Sequence, residues 1–179
     1  MTTFLVENKE YSLSDIYQYK NDRPKLILSE EIQSQINASR KVLDDAVLEN
    51  KVIYGVNTGF GKLSQVKIPK EKISELQKNL ILSHAVGVGE AIPDDITILI
   101  ILLKIISLSK GYSGIRLLVV KRLVDMLNND CLPIIPCQGS VGASGDLAPL
   151  SHMTLPLWGV GDVRLNGEVI PAQSALEEL

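Results

Sequence analysis

Three groups of residues have the types that chemistry needs. The first is residues 139–150, Gly-Ser-Val-Gly-Ala-Ser-Gly-Asp-Leu-Ala-Pro-Leu. Gly139, Gly142, Ala143 and Gly145 carry no side chain or only a methyl group, so the backbone there can take turns and contacts closed to bulkier residues. A tight turn and a phosphate cradle are the ordinary uses of such a stretch. The cradle is disfavoured, because Gly-x-x-x-x-Gly-Lys-Ser/Thr is absent and no Lys or Arg stands between Arg122 and Arg164. A third use is covalent. The Gly145 amide nitrogen can close onto the Ala143 carbonyl with little steric obstruction. Loss of that water, and of the Ser144 hydroxyl as a second, leaves an exocyclic alkene conjugated to a carbonyl, an electrophile made from the chain alone. Amide nitrogen is a poor nucleophile, so the tripeptide by itself is a weak signal.

The second group is residues 54–61, Tyr-Gly-Val-Asn-Thr-Gly-Phe-Gly, and the third is residues 79–85, Asn-Leu-Ile-Leu-Ser-His-Ala. Tyr54 on its own reads as a half-buried ring that anchors a turn with its hydroxyl wet. His84 on its own reads as a satisfied neutral side chain, or as a cation favoured by the dipole of a last helical turn. Residues 54, 84 and 144 are too far apart in sequence to share one helix, so only a tertiary fold can gather them.

Residues 139–153, 54–61 and 79–85 together resemble the aromatic amino acid ammonia-lyase family, most closely its histidine-using branch. The resemblance implies that Ala143-Ser144-Gly145 becomes the 4-methylidene-imidazol-5-one (MIO) group, formed autocatalytically, with no external cofactor and no metal. It implies non-oxidative elimination of ammonia from L-histidine to give trans-urocanate. Tyr54 matches the family's base for the β-proton, His84 would hold the substrate imidazole, and Asp146 would position the loop while it cyclises. Asn57 and Gly61 are left as loop-shaping residues. A tyrosine of ordinary pKa is only about 0.1% phenolate at pH 7, so the base role demands a lowered pKa or a coupled proton acceptor. Ser83-His84 favours histidine as substrate, since phenylalanine-using relatives usually carry an apolar pair there. Ile106 departs from the pattern, standing where relatives often carry Asn.

Full relatives are much longer and form homotetramers whose active sites draw on several subunits. Their downstream tyrosine, arginine, glutamine and glutamate positions have no counterpart here. Residues 1–179 are therefore expected to be the N-terminal portion of an ammonia-lyase of the fumarase/aspartase-like helical fold, inactive alone. Urocanate formation by the chain alone would overturn that. Tyrosine or phenylalanine ammonia-lyase or aminomutase activity is the near alternative. A different class of reading is a non-catalytic truncated chain that only folds or pairs with partner helices through apolar residues 96–108.

The elements that must position these groups read as mainly α. Residues 4–11 alternate weakly around Asn8-Lys9 and suggest a hairpin, after which Ser12 or Ser14 caps a short helix. Ser29 caps a helix over about 30–49, with Ile32, Ile36, Val42 and Leu43 as its apolar stripe. Pro69 opens a helix to about residue 85 with Ile73, Leu76, Leu80 and Ile81 on one face. Pro93-Asp94-Asp95 opens an apolar helix that Gly111 ends. Its residues 96–103 are too few for a membrane span, which needs ~20, and Lys104 interrupts the run. Residues 115–129 carry helical spacing in Leu118, Val119, Arg122, Leu123 and Met126. Pro133 and Pro136 keep residues 131–138 extended. A helix over about 146–157 follows, interrupted by Pro156. Asn166-Gly167 marks a type I′ hairpin over 163–170, and Pro171 opens a last helix.

The whole chain of 179 residues, 45% hydrophobic and 22% charged, reads as one globular unit. Its net charge of −3 gives nothing to recruit nucleic acid. Cys131 and Cys137 lack metal spacing and fit a reduced, structural role. Without a basic then apolar leader in residues 1–10, the expectation is a cytoplasmic protein with no membrane partner.

Overall fold

The structure, a computed structural model, describes residues 2–62, 68–142 and 145–178. Helices dominate, joined by short strands. Strand β1 (Thr3–Val6) leads to helix α1 (Leu13–Asp22). Ser12 starts α1 with a capping box: its Oγ accepts the Asp15 N–H at 3.2 Å and the Asp15 carboxylate accepts the Ser12 N–H at 2.8 Å. The Ser12 hydroxyl and then its backbone N–H hold the Asp15 carboxyl below its usual range.

The hairpin expected over residues 4–11 does not form. Beyond Asn8-Lys9 the chain is tied by the Tyr11 hydroxyl, which accepts the Glu7 N–H at 2.8 Å, and runs on into α1. β1 pairs instead in parallel with β2 (Lys25–Leu28), from Thr3 opposite Lys25 to Val6 opposite Leu28. This pairing buries Val6, Leu26 and Leu28 together, a gain of apolar burial that a hairpin with residues 7–11 would forgo.

Ser29 caps helix α2 (Glu30–Leu48), its Oγ accepting the Ile32 N–H at 3.2 Å. Ile32 and Ile36 are buried, but Val42 is 71% exposed, so the expected stripe faces the core only over the first turns. A tight 3-10 turn at Lys70–Lys72 precedes helix α3 (Ile73–His84). Its apolar face is half-buried throughout. β3 (Val88–Ala91) then delivers the chain to helix α4 (Asp94–Ser109), which the acidic pair Asp94 and Asp95 begins.

α4 packs on helix α5 (Leu117–Asn128). Ile98, Ile101, Leu102 and Ile105 of α4 meet the core from one side, and Val120, Leu123, Val124, Met126 and Leu127 of α5 from the other. Ile96 and Leu103 face outward. So do Leu118 and Arg122, two of the residues that carry the helical spacing of α5. Ile106 is half-buried and packs against the same core. At the end of α5 the Asn128 amide bonds both backbone groups of Leu26, Oδ1 accepting N–H at 2.8 Å and Nδ2 donating to the carbonyl at 2.9 Å. A side chain thereby continues the β1–β2 ladder.

The proline-rich extended segment resolves into β4 (Cys131–Pro133) and β5 (Pro136–Gln138). β5 pairs antiparallel with β3, Val88 opposite Gln138 and Ala91 opposite Pro136. Helix α6 (Leu147–Thr154) gives way at Pro156 to a 3-10 turn over Leu155–Trp158, because proline lacks the N–H an α-helix needs. β6 (Asp162–Leu165) joins β4 and β7 (Glu168–Pro171) in a three-stranded antiparallel sheet of order β4-β6-β7. Asn166 and Gly167 turn the β6–β7 hairpin with φ of 50° and 88°, as a type I′ turn requires. Helix α7 (Ala172–Glu178) follows. Among the described residues no helix is long and apolar enough to cross a membrane.

Candidate functional site

The loop of residues 52–61 is held from inside. Asn57, 2% exposed, accepts the Ile53 N–H through Oδ1 at 2.8 Å and donates Nδ2 to the Lys51 carbonyl at 2.8 Å. Buried Thr58 accepts the Gly55 N–H at 3.2 Å and donates to the Gly59 carbonyl at 3.0 Å. From α3, Gln77 donates Nε2 to the carbonyls of Gly55 and Val56 at 2.8 and 3.0 Å. Gly55 turns at φ +70°, and a Cβ there would lie 2.8 Å from Phe60 Cε1. Only glycine gives the ring of Phe60 its place.

What this frame presents is a row of rings. Tyr54 and Phe60 lie 5.6 Å apart by centroid, and Phe60 meets His84 edge-on at 5.4 Å. Tyr54 and His84 are thus gathered through Phe60. Tyr54 is 64% exposed rather than half-buried, and its hydroxyl accepts a long bond, 3.5 Å, from the Gly61 N–H. His84 closes α3, and its Nδ1 lies 2.6 Å from the Leu80 carbonyl oxygen and 3.3 Å from Ser83 Oγ. A carbonyl only accepts, so Nδ1 is assigned the proton. Nε2 has no partner among the described residues and is the nitrogen left for a ligand.

Ala143 and Ser144 lie outside the described residues, and the loop is defined by its flanks. Ser140 Oγ donates to Asp146 Oδ1 at 2.5 Å, drawing the two sides of the tripeptide together. Asp146 adopts φ 41° immediately before α6, and Gly145 φ 116°. A Cβ on Gly139 would sit 3.2 Å from Ala148 Cβ and 3.4 Å from Gly87 Cα. The first residue of the loop therefore abuts both α6 and the segment three residues past His84.

Gln77, Ser140 and His152 emerge only from the tertiary structure. His152 of α6 accepts the Gly87 N–H through Nε2 at 3.0 Å, and burial lowers its pKa below the ordinary histidine value. Gln77 stands seven residues before His84 on α3, two helical turns away and on the same face, a spacing that marks it. His152 had no local signal beyond its presence in the motif.

Among the described residues no group of three or more His, Cys, Asp or Glu side chains gathers as metal ligands. A cleft of about 1100 Å³ opens elsewhere, between α1, β2 and α5, lined by Lys20, Arg23, Asp95 and Asp130 among others. Its charges pair with one another, Lys20 with Asp95 at 2.9 Å and Arg23 with Asp130 at 3.0 Å. It reads as a solvated ion-pair groove, and the phenol, imidazole and small-residue loop lie away from it.

The helical fold, with the Tyr54, Phe60 and His84 rings in a row and the first residue of the Gly-rich loop against Gly87, is similar to that of known lyases and aminomutases. Residues 11–179 match the family described as aromatic amino acid lyase, and the chain belongs to it. It is 44% identical over 174 residues to a histidine ammonia-lyase of Legionella pneumophila (strain Lens), covering 97% of this chain and 34% of that protein. Its fold matches the ergothioneine degrading enzyme ergothionase from Treponema denticola with a TM-score of 0.94 at 30% identity, over 98% of this chain and 35% of that one. It matches histidine ammonia-lyase from Trypanosoma cruzi with a TM-score of 0.86 at 33% identity, over 99% of this chain and 34% of that one. The chain spans about a third of the length of the curated relatives it matches.

Proposed function

We propose that the whole protein, with residues 1–179 as its N-terminal portion, is a histidine ammonia-lyase of histidine catabolism, a cytoplasmic homotetramer that converts L-histidine to trans-urocanate and ammonia. The observation that carries this reading is the row Tyr54, Phe60 and His84, whose helix leads within three residues to Gly87, against the flank of the loop at Gly139.

An MIO group formed from Ala143-Ser144-Gly145 supplies the electrophile that makes the amine a better leaving group. The flanking residues fit it: Ser140 and Asp146 close the loop, and a Cβ on Gly145 would meet nothing nearer than 3.9 Å. Asp146 holds that closure. His84, its Nδ1 engaged with Leu80, offers Nε2 to the substrate imidazole. Tyr54, exposed at the end of the row, takes the β-proton as its phenolate, a form that needs a cation or proton acceptor beside it in the whole protein. Phe60 lies between the two and sets their spacing. Val86, Val88, Val141 and Leu147 are exposed around the same place, apolar area that suits a subunit interface.

The test is turnover by the whole protein with L-histidine, L-tyrosine and L-phenylalanine. Histidine is expected to be preferred, with urocanate as product. His84→Leu is expected to lower kcat/KM for histidine by roughly 10- to 100-fold, and an unchanged preference would contradict the role given to His84.

A further inference from the structure

Helix α3 contains no fully buried residue, so packing alone holds its end, and with it His84, only loosely. The chain just beyond that end is nevertheless fixed, by the pairing of β3 with β5 from Val88 onward and by one side-chain bond immediately before it. Gly87 donates its N–H to His152 Nε2 at 3.0 Å across 65 residues of sequence. A Cβ at Gly87 would lie 3.1 Å from His152 Nε2 and 3.2 Å from Pro136 Cβ, so the bare backbone is what lets α6 and β5 close in on it. Gly139 approaches the same Gly87 Cα from the loop.

Resting on the function proposed above, we infer that His152 is a positioning residue: its Nε2 lone pair fixes the segment carrying His84 against α6, the helix that follows the Ala143-Ser144-Gly145 loop. A backbone N–H only donates, so the bond requires Nε2 without a proton and therefore the Nδ1–H tautomer. His152 is half-buried, and that burial lowers its pKa, favouring the neutral ring. The tether sets the distance between the imidazole-holding residue and the electrophile without touching substrate. The chemistry asks for a hydrogen-bond acceptor at this position, not for an imidazole as such.

Two measurements test it. In the 179-residue chain, which has two histidines, ¹⁵N-histidine spectra are expected to show His152 protonated at Nδ1 and bare at Nε2. A proton on Nε2 at neutral pH would overturn the inference. In the whole protein, His152→Leu, which has no acceptor, is expected to lower kcat/KM for L-histidine by roughly 10- to 100-fold, mainly through KM. His152→Gln, whose Oε1 can accept the Gly87 N–H, is expected to recover most of that loss. Both variants are expected to keep the wild-type mass change at the loop. Equal kcat/KM in all three proteins, or equal loss in both variants, would overturn it. If His152→Leu does not fold, the comparison of His152→Gln with wild type and the tautomer decide. A wild-type protein that releases no urocanate would count against the proposed reaction, while the tautomer would still decide whether the tether exists.

Discussion

The two sides of the molecule are built to different standards. Around α4 and α5, Ile101, Leu102, Ile105 and Val120 are 0% exposed. Around the candidate site no residue of α3 is fully buried, and Tyr54, Val86, Val88 and Val141 are 61% exposed or more. The core side is fixed by dense apolar packing. The site side is fixed by directed hydrogen bonds: Asn57, Thr58 and Gln77 each hold two backbone groups, His152 holds one, and Asp146 holds a loop flank. That division suits a reactive site, because hydrogen bonds fix geometry while leaving the surface open to a ligand.

The sharpest contrast is in the two thiols, six residues apart. Cys131 is 2% exposed, and burial, helped by the Asp130 charge, pushes its pKa up to about 11. Cys137 is exposed. A thiol of that pKa is only ~0.1% thiolate at pH 8, and its reactive fraction grows as pH rises. Alkylation of the native chain at pH 8 is expected to modify Cys137 at least roughly a hundredfold faster than Cys131, with both reacting in urea. Comparable native rates, read by peptide mass spectrometry, would erase the distinction between the two sides.

Paired truncations probe the same difference in energy. Leu102→Ala, in the core of α4, is expected to cost about 2–5 kcal/mol. Leu82→Ala, at a position on α3 that is 39% exposed, is expected to cost under about 1 kcal/mol, as for surface substitutions. Urea unfolding of both variants measures this, and similar losses would mean that α3 is packed as tightly as α4. Between the two falls Asn128→Ala, which strips the partner from both backbone groups of Leu26 and is expected to cost about 1–3 kcal/mol. Its signature is local: faster amide exchange at Leu26, with Gly55 and Gly87 unchanged.

Local signals were legible in the sequence wherever they act alone. Ser12 and Ser29 cap the helices they announce, and Asn166-Gly167 turns its hairpin, because each acts over three or four residues. Pairing was not local. The alternation in residues 4–11 does not say which strand completes the ladder, and β2 wins by bringing Leu26 and Leu28 to the core. Helical spacing named apolar residues without saying how far along the helix the core extends, so Val42 and Leu118 came out exposed. At the site, Tyr54, His84 and Asp146 were legible as residues of a family motif. Their arrangement was not, since Phe60 joins the first two in space and the bond from His152 to Gly87 spans 65 residues.

The central claim is that the small-residue loop exists to become an electrophile, and the most direct measurement is the intact mass of the folded whole protein. The account predicts a mass lower than the sequence by two waters, localised by proteolysis to the peptide containing Ala143-Ser144-Gly145, with no such loss in Ser144→Ala. A folded whole protein that keeps both waters would contradict it.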